Sequence, residues 1–128
     1  MKRNEDLIRE ILLIIEKYPF DEGDDWINIW TDLRVHGSKK IDEYTNKEIS
    51  YNIMLLDEAG LIKGIEISKN VWMPIRLTWA GHEFLDSARD DKRWEKVKIS
   101  MATIGGFVFD VAKTLLIELA KSELKMTR

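Results

Sequence analysis

The sequence feature that most constrains the fold is an abrupt change from strand to helix within residues 75–91. A β-rich segment ends at residues 75–77, which read Ile-Arg-Leu, and Thr78 follows at once. Threonine is a preferred N-cap, because its hydroxyl can accept a hydrogen bond from a free backbone N–H of the first helical turn. After it, Phe84, Leu85 and Ala88 recur at helical spacing. The stretch therefore predicts a strand that leads directly into a helix ending near residue 89.

Two earlier segments predict a capped helix and a β-hairpin in front of this junction. Thr45 and Glu48 have the spacing of a capping box, and Gly60 stands where helices usually stop, so a helix is expected over residues 46–59. Two β-rich segments, 61–67 and 71–77, flank a turn at 68–70, and Pro74 indicates an edge or a bulge. The helix should face the core with Ile49, Ile53 and Leu56, and the solvent with Asn46, Lys47, Ser50, Asp57 and Glu58.

The N-terminal third predicts a helix and a strand, and leaves one segment open. Apolar periodicity gives a helix over residues 4–18, with Asn4 as a suitable N-cap and a proline directly after its end. A strand rich in tryptophan and isoleucine is expected at 26–30. For residues 34–43 two interpretations remain, a hairpin that closes on this strand or a short helix near Ile41.

Two further helices are predicted after residue 90. Asp90 and Asp91 can cap a helix over residues 92–101, two glycines break the chain at 105–106, and a helix with a wide apolar face follows over 107–125. Because large aromatic side chains dominate hydrophobic cores, the tryptophans around the strand-to-helix junction are expected to be buried. These are Trp72, Trp79 and Trp94.

Composition excludes several kinds of protein. None of the 128 residues is cysteine, which removes disulfides and thiolate metal sites and permits a reducing cytosol. Charged residues interrupt the apolar run at the N-terminus and the one near the C-terminus, so neither a signal peptide nor a membrane span is expected. The prediction is a cytoplasmic protein without a membrane segment.

The order of the predicted elements is similar to that of winged-helix proteins. Residues 1–9, 53–62, 72–86 and 88–94 carry a closer likeness, and on them the chain resembles the YjcQ-like family of short, mostly prophage-associated winged-helix proteins of unknown function. The resemblance implies a phage or mobile-element setting and brings no established activity. Against the family pattern, residues 34–42 look like an insertion, and Asn52 stands where relatives tend to have histidine.

We therefore predict an α+β fold. A winged helix-turn-helix domain with a β-hairpin wing is expected over residues 1–90. Residues 91–128 are expected to form two additional helices that pack on this domain or provide a dimer interface.

No pattern of catalytic or metal-binding residues is visible in the sequence. The histidines are His36 and His82, whereas a zinc site needs three or four ligands, commonly histidine and cysteine. Neither histidine has a local serine and acid that would make a nucleophilic pair, and no phosphate-binding glycine motif occurs. We expect no enzyme activity, no metal and no cofactor.

The predicted helix over residues 46–59 corresponds to the recognition helix of a DNA-binding winged helix, whose N-terminal residues contact base edges. Asparagine can read adenine and lysine can read guanine. The candidate base contacts are Asn46, Lys47, Ser50 and Tyr51. Lysines of the insertion and of the wing are candidate phosphate contacts, and these are Lys39, Lys40, Lys63 and Lys69. The first functional hypothesis is a regulator that binds double-stranded DNA.

Low positive charge leaves a second hypothesis open. The net charge is −3, and residues 46–59 carry one lysine against three acids, whereas DNA binding draws much of its affinity from neutralising phosphates. The alternative is a non-catalytic module that binds a host or phage protein through the acidic loop 21–25, the insertion and exposed tryptophans. Trp26 and Trp30 fit either an exposed edge of this kind or core packing, and core packing is the favoured interpretation of the two. A homodimer through the last helix is also expected, since a two-fold axis matches paired half-sites on DNA.

Overall fold

The computed structural model describes residues 2–18, 33–35, 37–103, 105–106 and 109–126. The described chain is α+β, with a winged-helix-like arrangement of helices and one antiparallel hairpin, and the predicted fold class is confirmed. The predicted strand at 26–30 lies outside the described residues. The elements are α1 (Glu5–Lys17), a 3-10 helix (Lys39–Glu43), α2 (Asn46–Glu58), β1 (Ile62–Ser68), β2 (Val71–Leu77), α3 (Trp79–Ala88), α4 (Asp91–Thr103) and α5 (Phe109–Met126).

The chain divides into two compact units, Met1–His82 and Glu83–Arg128. Within the first unit, α1 buries an apolar stripe that recurs every three or four residues, as a helix with one face in the core requires. The Asn4 side chain caps α1 by accepting a hydrogen bond from the Leu7 N–H at 2.9 Å, which confirms the predicted N-cap. The buried side chains of the stripe are Leu7, Ile8, Ile11, Leu12, Ile14 and Ile15.

Helix α2 begins and ends as its sequence predicts. Both hydrogen bonds of the capping box form at 3.1 Å, between Thr45 and the Glu48 backbone and between Glu48 and the Thr45 backbone. At the other end, Gly60 has a φ of 75°, and the Leu61 N–H donates to the Leu56 carbonyl at 3.0 Å, which closes the helix. The predicted inward residues Ile49, Ile53 and Leu56 are buried.

The segment before α2 is a short helix, so one of the two open interpretations for residues 34–43 is confirmed. Residues 39–43 form the 3-10 helix, and Ile41 is fully buried. Glu10 of α1 accepts a hydrogen bond from the Ser38 N–H at 2.7 Å. The Arg34 guanidinium donates to the carbonyls of Ile41 and Tyr44 at 3.2 and 2.9 Å. The bond to Glu10 joins the segment to α1, and the Arg34 bonds connect the start of the segment to the end of the 3-10 helix.

The hairpin carries the irregularity that its proline indicates. Gly64 is paired with Pro74 and Lys63 with Arg76, so one extra residue of β2 forms a bulge between them. Opposite this bulge, the Gly64 N–H donates to the Asp57 carboxylate of α2 at 3.0 Å. The prediction of a bulge at Pro74 is confirmed.

The junction from β2 to α3 is built on the backbone of Leu61. The Leu61 carbonyl accepts from the Thr78 N–H at 3.0 Å, and the Thr78 hydroxyl donates to the Gly60 carbonyl at 2.6 Å. The same hydroxyl accepts from the Gly81 N–H at 3.1 Å, so Thr78 is the N-cap of α3, as predicted. A methyl group at Gly81 would overlap the Leu61 carbonyl, and glycine is therefore required at this position.

The prediction that Trp79 belongs to the core is wrong, because its side chain is 80% exposed. Residues on one helical face recur every three or four positions. Trp79 is five and six positions before Phe84 and Leu85, and it consequently faces away from their buried side. Trp94 is buried, as predicted, and Trp72 is half-buried.

The second unit is held by its own small core. The rings of Phe84 and Trp94 meet edge to face, with centroids 6.3 Å apart. Asp90 caps α4 by accepting a hydrogen bond from the Arg93 N–H at 2.9 Å, and Arg93 lies 3.5 Å from Glu123 of α5. Of the wide apolar face expected for the last helix, Ala112 and Leu116 are buried, and residues 107–108 lie outside the described part. Among the described helices, none combines the length and hydropathy that a bilayer crossing requires.

Candidate functional site

The candidate site is a groove between α2 and the turn of the hairpin, referred to below as the helix–wing groove. Its volume is about 470 Å³, and residues of one face of α2 form one wall while the turn and the start of β2 form the other. The groove contains three of the predicted DNA-contacting residues, Lys47, Tyr51 and Lys69. The described residues that line it are Lys47, Tyr51, Met54, Lys69, Asn70, Val71 and Trp72.

Ser50 fixes the two walls of the groove to each other. Its hydroxyl donates to the Asn70 carbonyl at 2.9 Å and accepts from the Trp72 N–H at 2.8 Å. The predicted outward orientation of Ser50 is therefore wrong, since the side chain is only 2% exposed and its hydroxyl is occupied by the hairpin backbone. Ser50 builds the site and is not available for a base contact.

The groove is flanked by positive charge. Lys47 lies in the first turn of α2 and Lys69 lies in the hairpin turn, and both side chains are exposed. Neither lysine forms a salt bridge with another residue in the part of the chain that the structure describes. Within the described part of the chain, no aspartate or glutamate lines the groove. Two ammonium groups therefore stand beside the groove without an acidic neighbour among its lining residues.

Nearby carboxylates are held by backbone N–H groups. Glu48 accepts from the Thr45 N–H in the capping box, Asp57 accepts from the Gly64 N–H, and Glu66 accepts from the Asn70 N–H at 3.3 Å. These bonds give Glu48 and Asp57 of α2 and Glu66 of β1 a backbone partner. Among the described residues, lysines are the only charged groups that line the groove.

The other predicted contact residues lie outside the groove. The Asn46 side chain is exposed at the start of α2, where its Oδ1 accepts from Arg34 at 2.8 Å. Lys39 and Lys40 are exposed on the 3-10 helix. Lys63 is exposed near the start of β1, where it is paired with Arg76, at the opposite end of the hairpin from the turn. The structure thus gathers three of the eight predicted residues in the groove and leaves four exposed elsewhere.

Sequence reasoning missed the apolar part of the site. Met54, Val71 and Trp72 line the groove, although the sequence predicts Trp72 in the core. One signal was available, because Met54 follows Lys47 and Tyr51 at seven and three positions and so shares their helical face. No local signal pointed to Val71 and Trp72, whose contribution depends on how the hairpin approaches α2.

Comparison with known proteins gives a family without an assigned activity. A family model described as a hypothetical protein, DUF2513, matches residues 2–107. A protein of Haemophilus influenzae that is described only as uncharacterized is 38% identical over 104 residues, which cover 79% of this chain and 79% of the relative. No solved structure matches the chain significantly. The expectation of a family of unknown function is confirmed, and the chain belongs to the DUF2513 family of hypothetical proteins.

Proposed function

We propose that this protein is a regulator that binds double-stranded DNA through α2 and the hairpin turn. The observation that carries the proposal is the set of lysines on α2, on the hairpin and on the 3-10 helix that precedes α2. All of them are exposed, and none forms a salt bridge within the described residues. They are Lys39, Lys40, Lys47, Lys63 and Lys69.

Phosphate neutralisation is the role that suits these lysines best. Ammonium groups that replace condensed counterions on DNA give affinity that falls linearly with the logarithm of the salt concentration. The first turn of α2 would enter the major groove, with Lys47 and Asn46 at base edges and Tyr51 behind them. Lys69 would contact the backbone from the hairpin turn. Ser50 has no part in the contact, because its hydroxyl is bound by the hairpin.

Salt-dependent binding to pooled genomic fragments tests this function. Fluorescence anisotropy between about 50 mM and about 200 mM salt should give a log–log slope of about −4 to −5 if the ammonium groups of all five lysines displace counterions from the DNA. Replacing Lys47 and Lys69 by alanine should weaken binding and make the slope shallower by about two. The absence of binding at the lower salt concentration would count decisively against the proposal.

A control of equal charge separates specific contacts from net charge. Lys92 and Lys121 are exposed on α4 and α5, and replacing both by alanine removes the same two charges. We expect this control to keep the wild-type slope. If both double variants lower the slope equally, DNA is not bound through α2 and the hairpin turn.

One observation favours the second candidate function, a protein-binding module. Trp79 is 80% exposed in the first turn of α3, and tryptophan is enriched among the residues that dominate binding energy at protein interfaces. A partner recovered in stoichiometric amount by the wild type and lost with Trp79→Ala would support this function. Recovery of the same partner by both forms would show that Trp79 is not the contact.

Two further features of the proposal concern setting and assembly. The prophage setting follows from the resemblance to the YjcQ-like family alone, and expression on phage induction would test it. A homodimer through the C-terminal helices is supported by exposed apolar side chains of the second unit, Ile99, Val111 and Leu124, which are 65%, 41% and 69% exposed. Two-fold assembly would give the regulator two equivalent DNA-binding surfaces.

A further inference from the structure

We infer that the helix–wing groove is also a binding site for a small carboxylate with an apolar body, such as an aromatic or aliphatic acid. The proposed DNA contact uses the lysines of this groove but leaves its apolar lining unexplained. Tyr51, Met54, Val71 and Trp72 present hydrophobic surface between Lys47 and Lys69. A polar sugar–phosphate backbone gains nothing from such a surface.

The size of the groove selects a small ligand. Its volume of about 470 Å³ lies within the range of small-molecule sites, which are concave and mostly apolar, with a few polar groups that fix orientation. A partner helix or strand would need a longer surface than the seven lining residues provide. The groove therefore fits one compact molecule.

The charges that line the groove decide whether the ligand is an anion, a cation or neutral. Among the residues that the structure describes, the charged side chains of the lining are Lys47 and Lys69, and none of the lining residues is an acid. A cation would be repelled by both ammonium groups, and a neutral ligand would gain at most a hydrogen bond from them, without the attraction between opposite charges. A monoanion with an apolar body satisfies the lysines and covers the four hydrophobic side chains at the same time.

The groove is also preorganised, because hydrogen bonds within the protein hold its walls in place. The Ser50 hydroxyl joins α2 to the backbone of Asn70 and Trp72 with bonds of 2.9 and 2.8 Å. Asn70 holds a φ of 62° in the turn, and Glu66 accepts a hydrogen bond from its N–H. Both walls are thus fixed by the fold, so little ordering is needed on binding.

Occupation of the groove has a consequence for regulation that rests on the proposed function. Lys47 and Lys69 would face either a carboxylate or DNA phosphates, and the same two ammonium groups cannot serve both fully. The small acid would therefore lower the affinity for DNA. When ligand binding is measured without DNA, the result does not depend on the proposed DNA binding. The groove can bind the acid even if the protein never binds DNA.

The test compares 2-naphthoate with 2-naphthamide, which share an apolar body and differ in charge. In a titration followed by backbone amide NMR shifts, 2-naphthoate should bind one site, with shifts concentrated in residues 47–54 and 69–72. It should bind about five- to tenfold more tightly than the amide, since exposed ion pairs contribute modestly. The double variant Lys47→Ala/Lys69→Ala should lose this preference, whereas Lys92→Ala/Lys121→Ala, matched in charge, should keep it.

Three results would overturn the inference. They are equal binding of acid and amide, shifts centred outside these two segments, and no saturation up to the solubility limit of 2-naphthoate. The exposed lysine variants leave the core and the Ser50 bonds intact, so their readout does not depend on a change in folding. Binding of the acid together with an absence of DNA binding would sustain the site and reject the regulator.

Discussion

At the scale of single residues, the junction between β2 and α3 depends on the absence of a side chain at Gly81. Alanine is normally the better helix former, and in an open helix Gly→Ala would be stabilising by about 1 kcal/mol. Here the added methyl would overlap the Leu61 carbonyl, which already accepts a hydrogen bond from the Thr78 N–H. We expect Gly81→Ala to lower the free energy of unfolding by about 2 kcal/mol or more, because backbone must shift to relieve the overlap.

Denaturant unfolding of the Gly81→Ala variant, with the His82→Ala variant as the control, measures this loss of stability. His82 is the exposed neighbour of Gly81, and a surface substitution usually changes stability by less than about 0.5 kcal/mol. A Gly81→Ala protein as stable as the wild type would show that the close approach to Leu61 is not required.

Ser50 gives the second prediction at this scale. Its removal would leave the Trp72 N–H and the Asn70 carbonyl without their side-chain partner in a part-buried position. Ser50→Ala should therefore lower the free energy of unfolding by about 1–3 kcal/mol. Thermal unfolding would measure this loss, with Ser87→Ala on α3 as the control. Unchanged stability combined with lost DNA binding would instead favour the direct contact expected from sequence.

The error at Ser50 shows which residue-level features the sequence could predict. Thr45, Thr78 and Asn4 cap helices within their own first turn, so the pattern needed for the prediction is local. Ser50 binds a backbone that is 20 and 22 positions away in the chain. A serine on a helix does not indicate such a partner, and its polarity alone suggested exposure.

At the scale of elements, α4 depends on the charge of its N-cap. The hydrogen bond from the Arg93 N–H lowers the pKa of Asp90, and the positive charge of Arg93 acts in the same direction. A carboxyl whose pKa is lowered in the folded state contributes stability that is present above its unfolded pKa, about 3.9, and is lost as the pH falls through the folded value. Asp90 should therefore stabilise α4 at neutral pH and cease to do so in acid.

Asp90→Asn isolates this contribution, because asparagine is also a good N-cap but does not titrate. The melting temperature of the wild type should exceed that of Asp90→Asn at about pH 6, and the difference should shrink towards about pH 3. Other carboxyls titrate in both proteins, so only the difference reports Asp90. A difference that does not vary with pH would contradict the role of the charge.

The helices and strands could be predicted from the sequence, and the helix–wing groove could not. Apolar periodicity, the capping box and Gly60 identify α1 and α2, and the bulge at Pro74 follows from the residue itself. The groove depends instead on the distance between α2 and the hairpin turn. That distance is fixed by hydrogen bonds between elements, at Ser50 and Asp57, which no periodicity reports.

At the scale of the whole molecule, the two units differ in what they present to a partner. The first carries the five lysines of the proposed DNA contact and the helix–wing groove. The second exposes apolar side chains and has a shallow groove of about 350 Å³ between α4 and α5. Its lining includes Ile99, Leu115 and Leu119. The proposed DNA contact and the proposed surface for self-association therefore lie in different units of the chain.

This separation predicts that one substitution can abolish the proposed dimer without unfolding the chain. Ile99 is 65% exposed, so Ile99→Glu should leave the monomer folded while placing a charge in the apolar contact, where an unpaired charge is costly. Light scattering at micromolar concentration should give twice the 15.0 kDa chain mass for the wild type and the single mass for Ile99→Glu. Lys92→Ala, with the same change in net charge, should stay dimeric. A monomeric wild type would remove the dimer from the proposed function and would leave the DNA and ligand tests unaffected, because both concern residues of the first unit.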